Sequence, residues 1–141
     1  MQSSVPKISG VILAGGRGSR LNSITKGKQK CLQTFLGKPF LFYLLDQLIS
    51  LKINNVYIMV GYKSEDVINT VSGYDKIKLI NIIFIKEKRP LSTGGCINLL
   101  KAKNHRQFLL IINGDTYYDT DYYKFQKRHD MQINEGYCLV S

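Results

Sequence analysis

The sequence is poor in the residues from which staples, metal sites and membrane spans are made. Its three cysteines, Cys31, Cys96 and Cys138, lie far apart and form no C-x-x-C pair. That spacing excludes a disulfide framework or a cysteine-based zinc site and reads as reduced thiols in a cytoplasmic protein. The two histidines, His105 and His129, have no partner at ligand spacing and read as surface or structural residues. No apolar run nears the ~20 residues that cross a bilayer, and the first ten residues carry no long apolar stretch of the kind a secretory leader needs. Repeats and low-complexity tracts are absent as well. Acidic residues are scarce: 10 Asp and Glu stand against 20 Lys and Arg, for a net charge of +10. Such an excess attracts anions, whether nucleic acid, membrane surface, nucleotide or sugar phosphate. A lysine-rich solvated face would yield the same total. No nucleic-acid-binding motif accompanies the charge, so the partner expected is a small phosphorylated molecule, with neither nucleic acid nor membrane.

What is present organises into one domain, residues 1–141, since a chain of 141 residues is of single-domain size. Five apolar runs rich in β-branched residues recur at Ile8–Leu13, Val56–Val60, Leu79–Ile85, Phe108–Ile112 and Tyr137–Val140. Near-continuous hydrophobicity over this length suits strands buried on both faces. Helical patterns lie between them. Pro39 opens the first, over Phe40–Leu51, at a position where its missing N–H goes unmissed. Phe40, Leu41, Leu44, Leu45, Leu48 and Ile49 give it a wide apolar face. Ser64 caps the second, with Glu65 and Asp66 in the first turn and Val67, Ile68 and Val71 facing the core. Thr93 caps a third, with Ile97, Leu99 and Leu100 inward, and Thr120 or Asp121 starts a fourth that runs to about Asp130. Strands alternating with helices predict an α/β fold, Rossmann-like, with three α/β/α layers around a mostly parallel sheet. Ligands in such sheets bind outside the carboxyl ends of the strands. Three polar clusters fall at such ends: the Gly15 loop, Glu87–Gly95 and Asn113–Asp121. Residues 15–38 show little periodicity, which in a compact domain marks a functional or mobile loop.

The most informative segment is Gly15-Gly16-Arg17-Gly18-Ser19-Arg20-Leu21, directly after the apolar Val11-Ile12-Leu13-Ala14. A strand that opens into a glycine-rich turn can aim several backbone N–H groups at phosphate oxygens. Lys30 follows ten residues after Arg20, then Gly37-Lys38-Pro39. Two cations just beyond such a turn suit a polyphosphate. The string is neither a Walker A loop, which needs G-x-x-x-x-G-K-[ST], nor a Rossmann fingerprint, whose third glycine is Leu21 here. Taken alone it also permits a plain glycine turn, and Lys30 taken alone permits a solvent-facing lysine beside Lys26 and Lys28.

Leu13–Leu21, Lys30 and Gly37–Pro39, in ungapped register, resemble the signature of the sugar nucleotidylyltransferases. Glu87-Lys88-Arg89-Pro90-Leu91-Ser92-Thr93-Gly94-Gly95 is similar to that family's E-x-x-P-L-G-T-G-G segment, and Asn113-Gly114-Asp115-Thr116-Tyr117-Tyr118-Asp119 to its N-G-D-T-Y-F-D stretch. Within the family, these segments and the Gly61-Tyr62-Lys63 turn most resemble the heptose 1-phosphate guanylyltransferases. The resemblance implies a nucleotide-diphospho-sugar transferase type of fold. It implies a nucleoside triphosphate, GTP by preference, and a sugar 1-phosphate as substrates, with a nucleotide-sugar and pyrophosphate as products. It places Arg20 and Lys30 on the triphosphate as catalytic residues. It assigns Leu13, Ala14, Gly15, Gly16, Gly18, Ser19, Glu87 and Gly94 to nucleotide binding, and Asp115 to Mg²⁺. Chemically, Glu87 suits guanine because a carboxylate accepts from N1–H and the exocyclic amino group together; a surface carboxylate among Lys86, Lys88 and Arg89 is the plain alternative.

Departures from the pattern matter. Gln29 and Cys31 replace the prolines that commonly flank the signature lysine, which is expected to loosen the loop holding Lys30. Ser92 stands where glycine is usual and is expected to crowd the base site. The chain ends at Ser141, where family catalytic domains continue into a second metal-binding aspartate and much of the sugar-phosphate pocket. The sheet is therefore expected to be incomplete at the C-terminus, with an open edge that offers a route to a homo-oligomer. Two other functions compete: a truncated nucleotide- or partner-binding protein without turnover, and a glycosyltransferase using Asp119-Thr120-Asp121 as a metal-binding D-x-D.

Overall fold

The computed structural model describes residues 8–16, 27–89, 91, 93–101, 108–119, 121 and 138–140. The expected helix from Thr120 or Asp121 to Asp130, the glycine loop from Arg17 to Leu21, and Ser92 lie outside the described residues, apart from Asp121.

Successive side chains of a strand point to opposite faces, and that alternation sets the architecture. In β1 (Ile8–Leu13), Val11 and Ile12 are both fully buried, yet they belong to different apolar cores. β4 (Asn55–Val60) repeats the pattern: Val56, Ile58 and Val60 join Ile12, whereas Met59 joins Val11. β6 (Phe108–Asn113) does likewise, with Leu110 and Ile112 on one side and Leu109 and Ile111 on the other. A strand apolar on both faces needs a helical layer on each. α1 (Phe40–Ser50) and α2 (Ser64–Ser72) cover the first face, and α3 (Thr93–Lys101) covers the second. With β5 (Asn81–Lys86) and β7 (Cys138–Val140), the strands form one sheet in the order β5-β4-β1-β6-β7, every neighbouring pair parallel. The expected α/β/α sandwich around a parallel sheet is therefore what the chain forms.

α1 supplies the largest apolar stripe. Leu41, Leu44, Leu45 and Leu48 follow the i, i+3, i+4, i+7 spacing of one helix face and are all buried. Each such leucine contributes about 1.5–3 kcal/mol relative to exposure. α1 is also tied at its polar side. Asp46 accepts hydrogen bonds from Lys38 (2.5 Å), Lys76 (2.7 Å) and the Tyr74 hydroxyl (2.7 Å). Burial alone would raise the Asp46 pKa, but these three donors outweigh it and pull it down to about 2.

Several boundaries differ from the expectations. Pro39 does not sit inside the first helical turn. It is the extended residue before α1 (φ −56°, ψ 138°) and pairs with Thr34. The segment 15–38 is also less irregular than its sequence suggests: Lys30–Leu32 form a 3₁₀ turn, and β2 (Thr34–Phe35) and β3 (Lys38–Pro39) an antiparallel hairpin. Positive φ at Leu36 (44°) and Gly37 (86°) lets so short a loop follow the strand twist. Ser64 is the first residue of α2, not its cap; the cap position belongs to Lys63, in left-handed conformation at φ 52°. Thr93 is likewise already helical. Finally, Leu79 is 61% exposed in a 3₁₀ turn, and β5 starts only at Asn81. β5 is an edge strand among those described, so its outer residues need no burial on both faces.

Candidate active site

The strand order places a crevice. From β1 the chain moves through α1 to β4 on one side, whereas β6 lies on the other side of β1. The strand order therefore reverses at β1, and in such sheets a ligand enters at the carboxyl ends of the strands beside that point. A cleft of ≈ 430 Å³ opens there. Four segments build its wall: Leu13–Gly16 at the end of β1, Gln29–Cys31, the stretch that contributes Glu87, Leu91, Thr93 and Cys96, and Asn113–Asp115 at the end of β6. Polar clusters from distant parts of the chain thus converge in space.

Close backbone approach holds these segments together. The Ala14 N–H donates to the Met59 carbonyl (2.9 Å), and the Gly114 N–H to the Leu13 carbonyl (2.9 Å). A Cβ on Gly114 would lie 2.7 Å from the Leu13 oxygen, so only glycine permits that contact. A Cβ on Gly15 would lie 2.7 Å from Glu87 Oε1. The N–H groups of Gly15 and Gly16 have no partner among the described residues, which leaves two donors at the mouth of β1.

Glu87 is placed by β5 and α3. Its own N–H donates to the Val60 carbonyl (2.8 Å). Its carboxylate accepts from the Leu91 N–H (3.2 Å) and from the Cys96 thiol (3.0 Å). Burial, then the neighbouring Glu87 carboxylate, raises the Cys96 pKa to about 12, so the sulfur remains a donor. Each Glu87 oxygen keeps a second acceptor site.

Across the cleft, the Lys30 ammonium lies 3.2 Å from Asp115 Oδ2, with both side chains substantially exposed, at 39% and 43%. Thr116 donates to the other Asp115 oxygen (3.2 Å), and the Gln47 amide donates to the Tyr118 carbonyl (2.7 Å), which pins the loop after β6 to α1. Lys30 rises from a 3₁₀ turn closed by Leu32 N–H to Gln29 oxygen (3.0 Å) and Gln33 N–H to Lys30 oxygen (3.1 Å). Gln29 and Cys31, on either side of it, are buried in the wall. Burial raises the Cys31 thiol pKa to about 12.

Of the residues expected at the site, Leu13, Ala14, Gly15, Gly16, Lys30, Glu87 and Asp115 line this cleft. Gly94 is exposed on the first turn of α3 and does not line it, although Thr93 and Cys96 do. Arg20, Gly18 and Ser19 lie outside the described residues. Sequence reasoning gave no site role to Leu91, Thr93, Cys96, Asn113 and Gly114, although four of them lie in the segments it singled out; it noted Gln29 and Cys31 only as departures. Asp119 and Asp121 are exposed and are not part of the cleft wall. Among the described residues no three His, Cys, Asp or Glu side chains gather as a metal cage.

A doubly wound parallel sheet with a glycine-lined cleft at its switch point defines a nucleotide-handling α/β domain. More particularly, the nucleotidyl transferase family pattern matches residues 9–140, and the chain belongs to that family. It is 37% identical over 119 residues to a D-glycero-α-D-manno-heptose 1-phosphate guanylyltransferase of Aneurinibacillus thermoaerophilus, covering 84% of this chain and 51% of that protein. The corresponding enzyme of Campylobacter jejuni is 36% identical over 134 residues, covering 92% of this chain and 55% of that protein. In three dimensions the chain is similar to HddC from Yersinia pseudotuberculosis complexed with GMP-PN, with a TM-score of 0.76 and 35% identity over 85% of this chain and 53% of that one. The chain thus spans about half the length of these relatives.

Proposed function

We infer that the cleft binds a nucleoside triphosphate, GTP by preference, and serves transfer of its nucleotidyl group to a sugar 1-phosphate with release of pyrophosphate. One observation carries this reading: four segments distant in sequence meet at the β1/β6 crevice, where glycine amides with no partner among the described residues and the Lys30 ammonium share one cleft. In such a transfer a sugar-phosphate oxygen attacks the α-phosphorus and pyrophosphate departs. The protein's task is alignment and charge stabilisation, not covalent chemistry. The Gly15 and Gly16 amides are placed to hold phosphate oxygens. Lys30 supplies a point charge for the departing oxygens. By resemblance, Arg20 adds a bidentate partner. Glu87, held by Leu91 and Cys96, offers its remaining lone pairs to the donor edge of guanine. The guanylyltransferase names of the similar proteins, and the GMP-PN in one of them, support guanine over other bases.

Magnesium, when bound, would neutralise phosphate charge and draw the oxygens into line. Asp115 is the described residue that would hold it. A single exposed carboxylate fits that ion, which completes its shell from substrate phosphates and water. A heptose or related sugar 1-phosphate is the acceptor that the named relatives favour. Unpaired Cys31 and Cys96 and the use of a triphosphate both fit a cytoplasmic setting.

A second reading is that this chain, which spans about half the length of the named relatives, binds nucleotide or a partner without turnover. Pyrophosphate release with GTP, Mg²⁺ and heptose or mannose 1-phosphate separates the two. Release by the 141-residue chain establishes the transferase. GTP binding by calorimetry with no release establishes the binder, and absence of heat with any triphosphate sinks both. The D-x-D glycosyltransferase loses ground because Asp119 and Asp121 stand outside the cleft wall.

A further inference from the structure

Gln29 is 5% exposed and lines the cleft, yet its side-chain Nε2 has no hydrogen-bond partner among the described residues. We propose that this amide donates to a phosphate oxygen of the bound ligand, making Gln29 a binding residue beside Lys30. The inference rests on the polyphosphate reading of the cleft.

Buried polar groups are paired as a rule, and an orphan donor is costly enough that each one asks for a reason. No fold reason is available here. Gln29 does not cap the 3₁₀ turn with its side chain; the backbone carbonyl closes that turn. A leucine or methionine would fill the same space without an orphan. The other end of the amide has only a weak partner: Oε1 accepts a long contact from the Cys31 thiol (3.7 Å). The NH₂ is left over.

An unpaired N–H calls for an acceptor, and the neighbours specify which kind. Lys30 is the next residue and lines the same cleft, as do Gly15 and Gly16, whose amides have no partner among the described residues. Cationic and N–H donors around one space select an oxyanion over a neutral carbonyl. The amide nitrogen is sealed from water as it stands, and the last torsion of glutamine is soft, so the amide meets an arriving oxygen by turning within its rotamer. The site therefore carries a donor, unmet among the described residues, that an anion satisfies, at the expense of stability without ligand.

The test uses sodium tripolyphosphate, which carries neither base nor sugar, titrated calorimetrically into the whole chain at constant ionic strength. Wild type binds it. Gln29→Leu binds about tenfold more weakly and, with the orphan removed, melts at a higher temperature without ligand. Gln29→Glu binds more weakly still, because a carboxylate only accepts and repels the anion. Should Gln29→Leu not fold, Gln29→Met, which keeps the length of the side chain, is read the same way. Equal Kd for wild type and the apolar variant overturns the proposal, and so does a wild type that ignores tripolyphosphate. A wild type that binds tripolyphosphate but not GTP refutes the nucleotide reading and leaves the Gln29 contact standing.

Discussion

Two lysine–aspartate contacts in this molecule look alike and do opposite work. Asp46 gathers three donors, Lys38, Lys76 and Tyr74, and its side chain is 24% exposed. It joins β3, α1 and the turn after α2, elements that must stay together. The Lys30–Asp115 pair has a single lysine, with Thr116 the other donor to Asp115 among the described residues; it is longer at 3.2 Å and open to water on both sides. An exposed pair of this kind contributes little to stability, about 0–1 kcal/mol. Its two groups are therefore free to exchange each other for a ligand's charges at small cost. A carboxylate that gathers three donors and joins three elements fixes a fold, whereas a pair with more lone pairs and N–H groups to spare is suited to a visitor.

The sharpest test asks whether the cleft wall is as firmly built as that network. Cys31 and Cys96 both have thiol pKa values near 12, so few thiolates exist at pH 8. Iodoacetamide should label them on the order of a thousandfold more slowly in native protein than in urea, by peptide mass spectrometry. Labelling of Cys31 near the unfolded rate would show an open wall and replace the contrast of three donors against one lysine by one of ordered against mobile. Next, Asp46→Ala should lower the unfolding free energy by about 2–3 kcal/mol, since Tyr74 and the lysines lose a shared acceptor. Urea titration measures it, and triphosphate affinity should be unchanged. Lys30→Met should do the reverse: stability within ~0.5 kcal/mol of wild type, and tripolyphosphate affinity down by about tenfold or more. If Lys30→Met unfolds the chain, the two contacts are not different in kind.

The smallest effect expected is on the acid limb. The folded pKa of Asp46, about 2, lies below the ordinary unfolded value of about 3.9. The charged form is thus favoured by folding. Its contribution is fully present above pH 4 and is lost as pH falls from there through about 2. Wild type should lose about 1 kcal/mol more than Asp46→Asn between pH 5 and 2.5, an amount reduced by solvent screening. Parallel acid limbs would remove Asp46 from the account of what holds α1 in place.

Much of this was legible in the residues. Leu41, Leu44, Leu45 and Leu48 announce α1 by spacing alone, and the two-sided apolar runs of β1, β4 and β6 announce a sheet covered on both faces. Boundaries were less legible. Leu79 reads as strand because hydropathy does not report that it sits outside an edge. Ser64 reads as a cap because nothing local reveals that Lys63 takes the left-handed conformation before it. At the site, Lys30, Glu87 and Asp115 stood out through the resemblance of their segments to a family signature; taken alone, Lys30 and Glu87 read equally well as surface charges. Gln29 and Cys31 stood out only as missing prolines, with a looser loop as the expected result; in the fold both are buried beside a closed turn.

What the residues by themselves determined is the order of strands and helices and the sides each must bury, because repeats of two and of 3.6 residues are local properties. Tertiary structure alone decided that Lys30 meets Asp115 across 85 positions, that Glu87 packs against the bare Cα of Gly15, and that the Gln29 amide is left with a hydrogen to give. Such meetings depend on how parallel crossovers bring strand ends together, and no pattern read along the chain contains the distance between two of its remote parts.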